Sequence, residues 1–152
     1  MAKLIILSGI PGSGKSTYAR SFAASHKNTF IVASDDIRAD LFGRCDYFSK
    51  DEIVWDKFEK LIIANAKDDN VVIADSSATD NARRLRWATL FRRYFKTIEL
   101  VYFDIPFDVC LKRNEQRDPI VPYQDMLTMK KAFKKPSKKV IAAYDMITYI
   151  AK

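Results

Sequence analysis

The stretch "GIPGSGKS", Gly9–Ser16, fits the pattern G-x-x-x-x-G-K-[ST] and lies between an apolar run and a helix-forming segment. No other feature constrains the fold as tightly. Glycines let the backbone wrap closely and aim its N–H groups inward at phosphate oxygens. The helix after the loop adds its positive N-terminal dipole. In such a loop Lys15 supplies a point charge to the β/γ-phosphates, and the Ser16 hydroxyl is a Mg²⁺ ligand. Average residue usage puts a chance match in a chain of this length well under ~1%. The expected nucleotide contacts in the loop are Gly12, Ser13, Gly14, Lys15, Ser16 and Thr17. The loop needs a strand before it and a helix after it, which implies an α/β fold.

The rest of the chain supplies the alternation. "LIIL" (Leu4–Leu7) and "VVIA" (Val71–Ala74) are continuous apolar runs, as strands covered on both faces require. "FIVA" (Phe30–Ala33), "TIELVYF" (Thr97–Phe103) and "MITYI" (Met146–Ile150) read as further strands. Lys15 to about His26 reads as a helix with Tyr18, Ala19 and Phe22 inward, and Asp36–Leu41 starts a short one. Ser49 and Glu52 have capping-box spacing before a helix with Val54, Phe58, Leu61 and Ile62 on its apolar face. After Asp80, Trp87, Leu90, Phe91 and Tyr94 form an amphipathic stripe, and Arg83, Arg84, Arg86, Arg92 and Arg93 occupy the other faces. Pro106 and Asp108 introduce a helix to about Gln116. A proline-bearing loop, Asp118–Pro122, precedes a helix over Tyr123–Lys134. The order β-α-β-α-α-β-α-β-α-α-β predicts a five-stranded, mainly parallel sheet with helices on both faces. With no linker or repeat, residues 1–152 read as one domain.

Charge adds a partner. The net charge of +7 is uneven: residues 81–140 carry +9 and the remainder −2. A polyanion partner would produce this asymmetry, and so would a merely basic surface. No apolar run approaches the ~18 residues of a membrane span, so no membrane partner is expected. Cys45 and Cys110 lie far apart with no metal-binding spacing. They read as core cysteines in a reducing cytoplasm.

A phosphate loop does not define a reaction. The guanine-reading N-K-x-D motif of GTPases is absent, and "VVIADSS" ends in one acid, Asp75, where motor ATPases usually carry two. A small phosphotransferase remains. It needs an acceptor site, a base for the acceptor hydroxyl, and cations for the transferring phosphoryl group. Ligands of open parallel sheets bind at the carboxyl ends of strands, where Asp35, Arg38 and Asp75 all fall. Arg38, three residues past Asp35 in a nascent helix, lies beside it. Arg113 and Arg117, four apart on one helix face, lead into the Asp118–Pro122 loop and are placed to close over phosphates as a lid.

Together, "GIPGSGKSTYAR", "SDDIR", "IADSS…ARRLRW" and "FDIPFDVCLKRNEQR…VP" resemble the kinase domain of phage-type polynucleotide 5′-kinases over about Lys3–Phe133. The resemblance implies a P-loop kinase fold with a lid, and ATP and Mg²⁺ held by Lys15 and Ser16. It implies that Asp35 is the general base for a nucleic-acid 5′-hydroxyl and that Arg38 grips the neighbouring 3′-phosphate. Asp75 resembles a supporting strand-end acid. Arg117 resembles the lid arginine at the transferring phosphate, and Arg113 matches more weakly. Asp36 is then a helix-start residue beside free N–H groups. Two departures stand out. The D-x-D-G-T phosphatase motif is absent, so no 3′-phosphatase activity is expected, and "ADSSA" replaces the usual D-T-N. The alternatives are a P-loop phosphotransferase acting on a nucleotide sugar, antibiotic or sugar, and a nucleotide-switch protein with negligible transfer.

Overall fold

The computed structural model describes residues 1–44, 49–78, 80–117 and 120–151. Cys45 and the start of the Asp118–Pro122 loop lie outside the described residues. The chain runs β1 (Lys3–Ser8), α1 (Lys15–Ser25), β2 (Thr29–Ala33), α2 (Ser34–Phe42), α3 (Asp51–Ala64), β3 (Val71–Asp75), α4 (Asn81–Phe91), β4 (Thr97–Phe103), α5 (Phe107–Asn114), α6 (Tyr123–Ala132), α7 (Lys138–Ala143) and β5 (Met146–Ile150). The five strands form one sheet in the order β2-β3-β1-β4-β5. Every pairing is parallel.

The continuous apolar runs have a simple cause. Successive side chains of a strand point to opposite faces, and both faces here are covered. Leu4 and Ile6 join one core with Val54, Phe58, Ile62, Trp87 and Phe91 from α3 and α4. Ile5 and Leu7 join the other with Ala19, Cys110 and Met126 from α1, α5 and α6. Cys110 is a buried free thiol, as expected of a core cysteine. Strand β1 is central, with β3 on one side and β4 on the other, so the chain leaves it at the switch point where such sheets bind ligands. Leu7 and Ala33 both pair with Asp75. The carboxyl ends of β1, β2 and β3 are therefore level, and the segments leaving these three strands meet at one rim.

Several local expectations change. The N-cap of α3 is Lys50, with no side-chain cap, so Ser49 and Glu52 form no capping box. Helix α4 stops at Phe91, which leaves Tyr94 36% exposed. Its N-cap is Asp80, whose carboxylate accepts from the Arg83 N–H at 2.8 Å. Arg84 is not on an outer face: it is fully buried. Phe30 and Ile31 are exposed because β2 is an edge strand. The short α7, capped by Ser137, was not anticipated. Six residues span under two turns, too few for a periodic pattern to register.

Candidate active site

The loop after β1 is shaped by two left-handed glycines. Gly12 has φ 84° and Gly14 has φ 101°. A Cβ on Gly12 would lie 2.4 Å from the Cys110 carbonyl oxygen, so the loop rests directly on the backbone of α5. Arg113, one turn beyond Cys110, donates to the Gly12 carbonyl at 3.3 Å. The Gly9 N–H is held by the Ser77 carbonyl at 2.9 Å. Ser13 is buried, and its hydroxyl finds no hydrogen-bond partner among the described residues. Thr17 lies at the start of α1, where the first N–H groups have no intrahelical acceptor.

Lys15 turns back on the loop, its Nζ donating to the Ile10 carbonyl at 3.2 Å. Burial lowers its pKa, against the pull of Asp75 and Asp35, and the nearby Arg117 adds to the lowering. The Ser16 hydroxyl donates to Asp75 Oδ2 at 3.0 Å. Asp75 is the last residue of β3 and only 8% exposed. The residues fit a Mg²⁺ ion. Ser16 and Asp75 are adjacent hard oxygen donors, and Mg²⁺ sites commonly use one or two protein oxygens with substrate phosphates and water. Among the described residues no cluster of three potential ligating side chains forms a closed cage, which such a site does not need.

The other side of the cleft is built on α2 and α3. Arg38 is 5% exposed. It donates to Asp35 Oδ1 at 2.9 Å, and its Nε and Nη2 grip Asp51 at 3.0 and 3.1 Å. Arg117 donates to the other Asp35 oxygen at 3.1 Å. A carboxylate has about four lone-pair sites, so Asp35 keeps acceptor capacity while both arginines fix its orientation. Asp36, in the first turn of α2, also lines the cleft; burial and then Asp35 raise its pKa. The whole forms a cleft of about 880 Å³ lined by loop, Asp35, Arg38, Asp75, Arg113 and Arg117.

The structure thus brings the expected site residues to one cleft, apart from Ser13, which is buried within the loop. Sequence reading missed Asp51, Trp55 and Arg83, which also line it. Asp51 carried no signal, because its distance from Arg38 fits no fixed motif. Trp55 gave a usable one: a tryptophan at the margin of an apolar stripe is placed to face a cleft.

The family description that matches residues 4–136 is an AAA domain. Among curated proteins, the chain is 27% identical over 140 residues to L-seryl-tRNA(Sec) kinase of Methanococcus maripaludis, covering 90% of this chain and 54% of that protein. It is also 27% identical over 148 residues to a protein of Autographa californica nuclear polyhedrosis virus named as a bifunctional polynucleotide kinase/RNA ligase, covering 88% of this chain and 20% of that one. The chain therefore spans about half of the first relative and a fifth of the second. A chain of the solved Pnkp1/Rnl/Hen1 RNA repair complex superposes with TM-score 0.71 at 28% identity, over 86% of this chain and 42% of its own length.

Proposed function

The chain belongs to the AAA-domain family, and from that premise we propose that it is a P-loop kinase domain that transfers the γ-phosphate of ATP to the 5′-hydroxyl of a nucleic-acid strand. The observation that carries this reading is the pairing of Asp35 with the buried Arg38. A carboxylate able to take a proton lies 2.9 Å from a guanidinium able to hold an anion. A nucleic-acid end presents that combination, a free hydroxyl next to a phosphate. The named activities of the viral relative and of the RNA repair complex support the same acceptor class.

Each residue of the cleft has its own part in the transfer. The loop N–H groups and Lys15 neutralise the phosphates, and Lys15 exchanges its Ile10 carbonyl contact for a phosphate oxygen. Ser16 and Asp75 would hold Mg²⁺, which would supply charge neutralisation to the bound phosphates. Asp35 accepts the proton of the acceptor hydroxyl. Arg38 binds the adjacent phosphate and is itself oriented by Asp51. Arg117, already at Asp35, spans from the base to the transferring group, and Arg113 steadies the loop at Gly12. Burial makes each charge interaction stronger than it would be in water. Residues 1–152 act here as one catalytic domain. No helix among the described residues is long and apolar enough to cross a membrane.

The similarity to a kinase named for L-seryl-tRNA(Sec) favours a second reading, in which the acceptor hydroxyl is a different one. Incubation with γ-labelled ATP, Mg²⁺ and a panel of 5′-hydroxyl oligonucleotides, seryl-tRNA and small alcohols separates the two. Label on the oligonucleotides is expected. Label confined to another acceptor would replace the reading.

A further inference from the structure

Among the described residues that line the cleft, Arg83 is a cation to which the mechanism above gives no part. The arginines of α4 and the turn after it have separate assignments. Arg84 is buried among carbonyls and hydroxyls. Arg86 is gripped by Glu59 at 3.0 and 2.8 Å. Arg92 pairs with Asp145 at 2.7 Å, and Arg93 lies over Tyr94. Arg83 differs. Its side chain lines the cleft and hydrogen-bonds to no group among the described residues.

Aromatic rings hold Arg83. Its guanidinium carbon sits 4.4 Å from the Trp55 ring centroid and 5.5 Å from that of Trp87. Burial lowers its pKa, which the charges of Asp80, Glu59 and Asp51 oppose. Those three carboxylates already have donors: the Arg83 backbone N–H on Asp80, Arg86 and the Trp87 indole N–H on Glu59, and Arg38 on Asp51. The Trp55 indole is itself fixed, packing edge-on against Phe58 and Trp87. Contact through an aromatic ring anchors a guanidinium and leaves its edge N–H donors for an oxyanion. Trp55 also carries Arg38, at 5.4 Å. Two guanidiniums thus share one indole, and of the two Arg38 is the one that hydrogen-bonds to Asp35.

We propose that Arg83, held on Trp55, binds the second phosphodiester of the acceptor strand, one nucleotide beyond the phosphate at Arg38. The inference rests on the nucleic-acid reading above and sharpens it. The site prefers a strand over a single nucleotide, and Arg83 is the specificity-determining residue for that preference. A single nucleotide with one 3′-phosphate satisfies Arg38 and leaves Arg83 unmatched.

The test compares a 5′-hydroxyl trinucleotide with a nucleoside 3′-monophosphate as acceptors, in the wild type, Arg83→Gln and Arg83→Lys. The wild type is expected to favour the trinucleotide in kcat/KM. Arg83→Gln should reduce that preference by about tenfold, the effect of one charge-assisted contact. The salt dependence of trinucleotide binding should fall by about 0.7 in log–log slope, because one fewer strand charge is neutralised. Arg83→Lys, which keeps the charge, should retain the slope and part of the preference. An unchanged preference in Arg83→Gln, or an equal loss on both acceptors, overturns the inference while the nucleic-acid reading stands. A wild type that phosphorylates neither acceptor overturns both.

Discussion

Arg38 is the residue on which the proposed acceptor site turns. A guanidinium this buried is stable only with partners, and removing one leaves an uncompensated charge. Asp51 accepts from both its Nε and its Nη2, so in the proposed mechanism Asp51 is the residue that positions Arg38. Asp51→Asn is expected to raise the acceptor KM about tenfold, with a smaller fall in kcat, and to cost about 2 kcal/mol of stability. Steady-state kinetics with the acceptor varied, beside urea melts, check both. Lys15 shows the opposite trade. Its pKa is lowered by burial, so the charged form is less favourable in the fold than in the unfolded chain. That penalty is present at neutral pH and is relieved as pH rises through the lowered pKa towards the ordinary lysine value. Lys15→Met should therefore abolish transfer while melting no lower than wild type without ATP at pH 7. Its advantage should shrink as pH approaches 10.5, and the thermal shift caused by ATP should be lost. A variant melting well below wild type would contradict this account of Lys15.

At the scale of elements, two clamps set the phosphate loop. From one side, α5 presses its backbone against Gly12, and Arg113 ties the contact. From the other, Arg84 of α4 donates to Ser8 Oγ at 2.9 Å, the Ala78 carbonyl at 3.0 Å, Asn81 Oδ1 at 2.9 Å and the Lys134 carbonyl at 2.6 Å. It thereby binds the end of β1 to the loop after β3, whose Ser77 carbonyl receives the Gly9 N–H. Arg84→Met should destabilise the protein by about 3 kcal/mol, since several buried acceptors lose their donor at once. A loss below about 0.5 kcal/mol in urea unfolding would contradict the strap. Sequence reading reaches neither clamp: it places Arg113 as a lid cation over the phosphates, not as a tie to Gly12. The phosphate-loop spacing and the strand-end acids were legible because the backbone imposes them locally. The strands β4 and β5 were legible as apolar runs between turns. Arg84 was not, because its burial depends on acceptors from several other segments, and a single arginine among five shows nothing of that.

For the whole molecule, the uneven charge needs reweighing. Part of the +9 in residues 81–140 is consumed within the fold: Arg84 is buried, and Arg86 and Arg92 answer carboxylates. The cleft draws instead on a few cations from separate elements, Lys15, Arg20, Arg38, Arg83, Arg113 and Arg117. Net charge thus points towards a polyanion for a reason weaker than it looks, and the proposed roles of the paired Asp35 and Arg38 as base and anion clamp support it better. The acceptor itself could not be read from periodicity, since polynucleotide and small-molecule kinases share the sheet and the loop. The most direct measurement locates the transferred phosphate. After reaction with γ-labelled ATP and Mg²⁺, a 5′-hydroxyl oligonucleotide is digested to nucleoside 5′-monophosphates. A 5′-kinase with Asp35 as its base places all label in the nucleotide from the 5′ end, and in Asp35→Asn the transfer rate falls by about 10²–10⁴. An unlabelled oligonucleotide, label elsewhere in the strand, or an Asp35→Asn enzyme at full rate would contradict it.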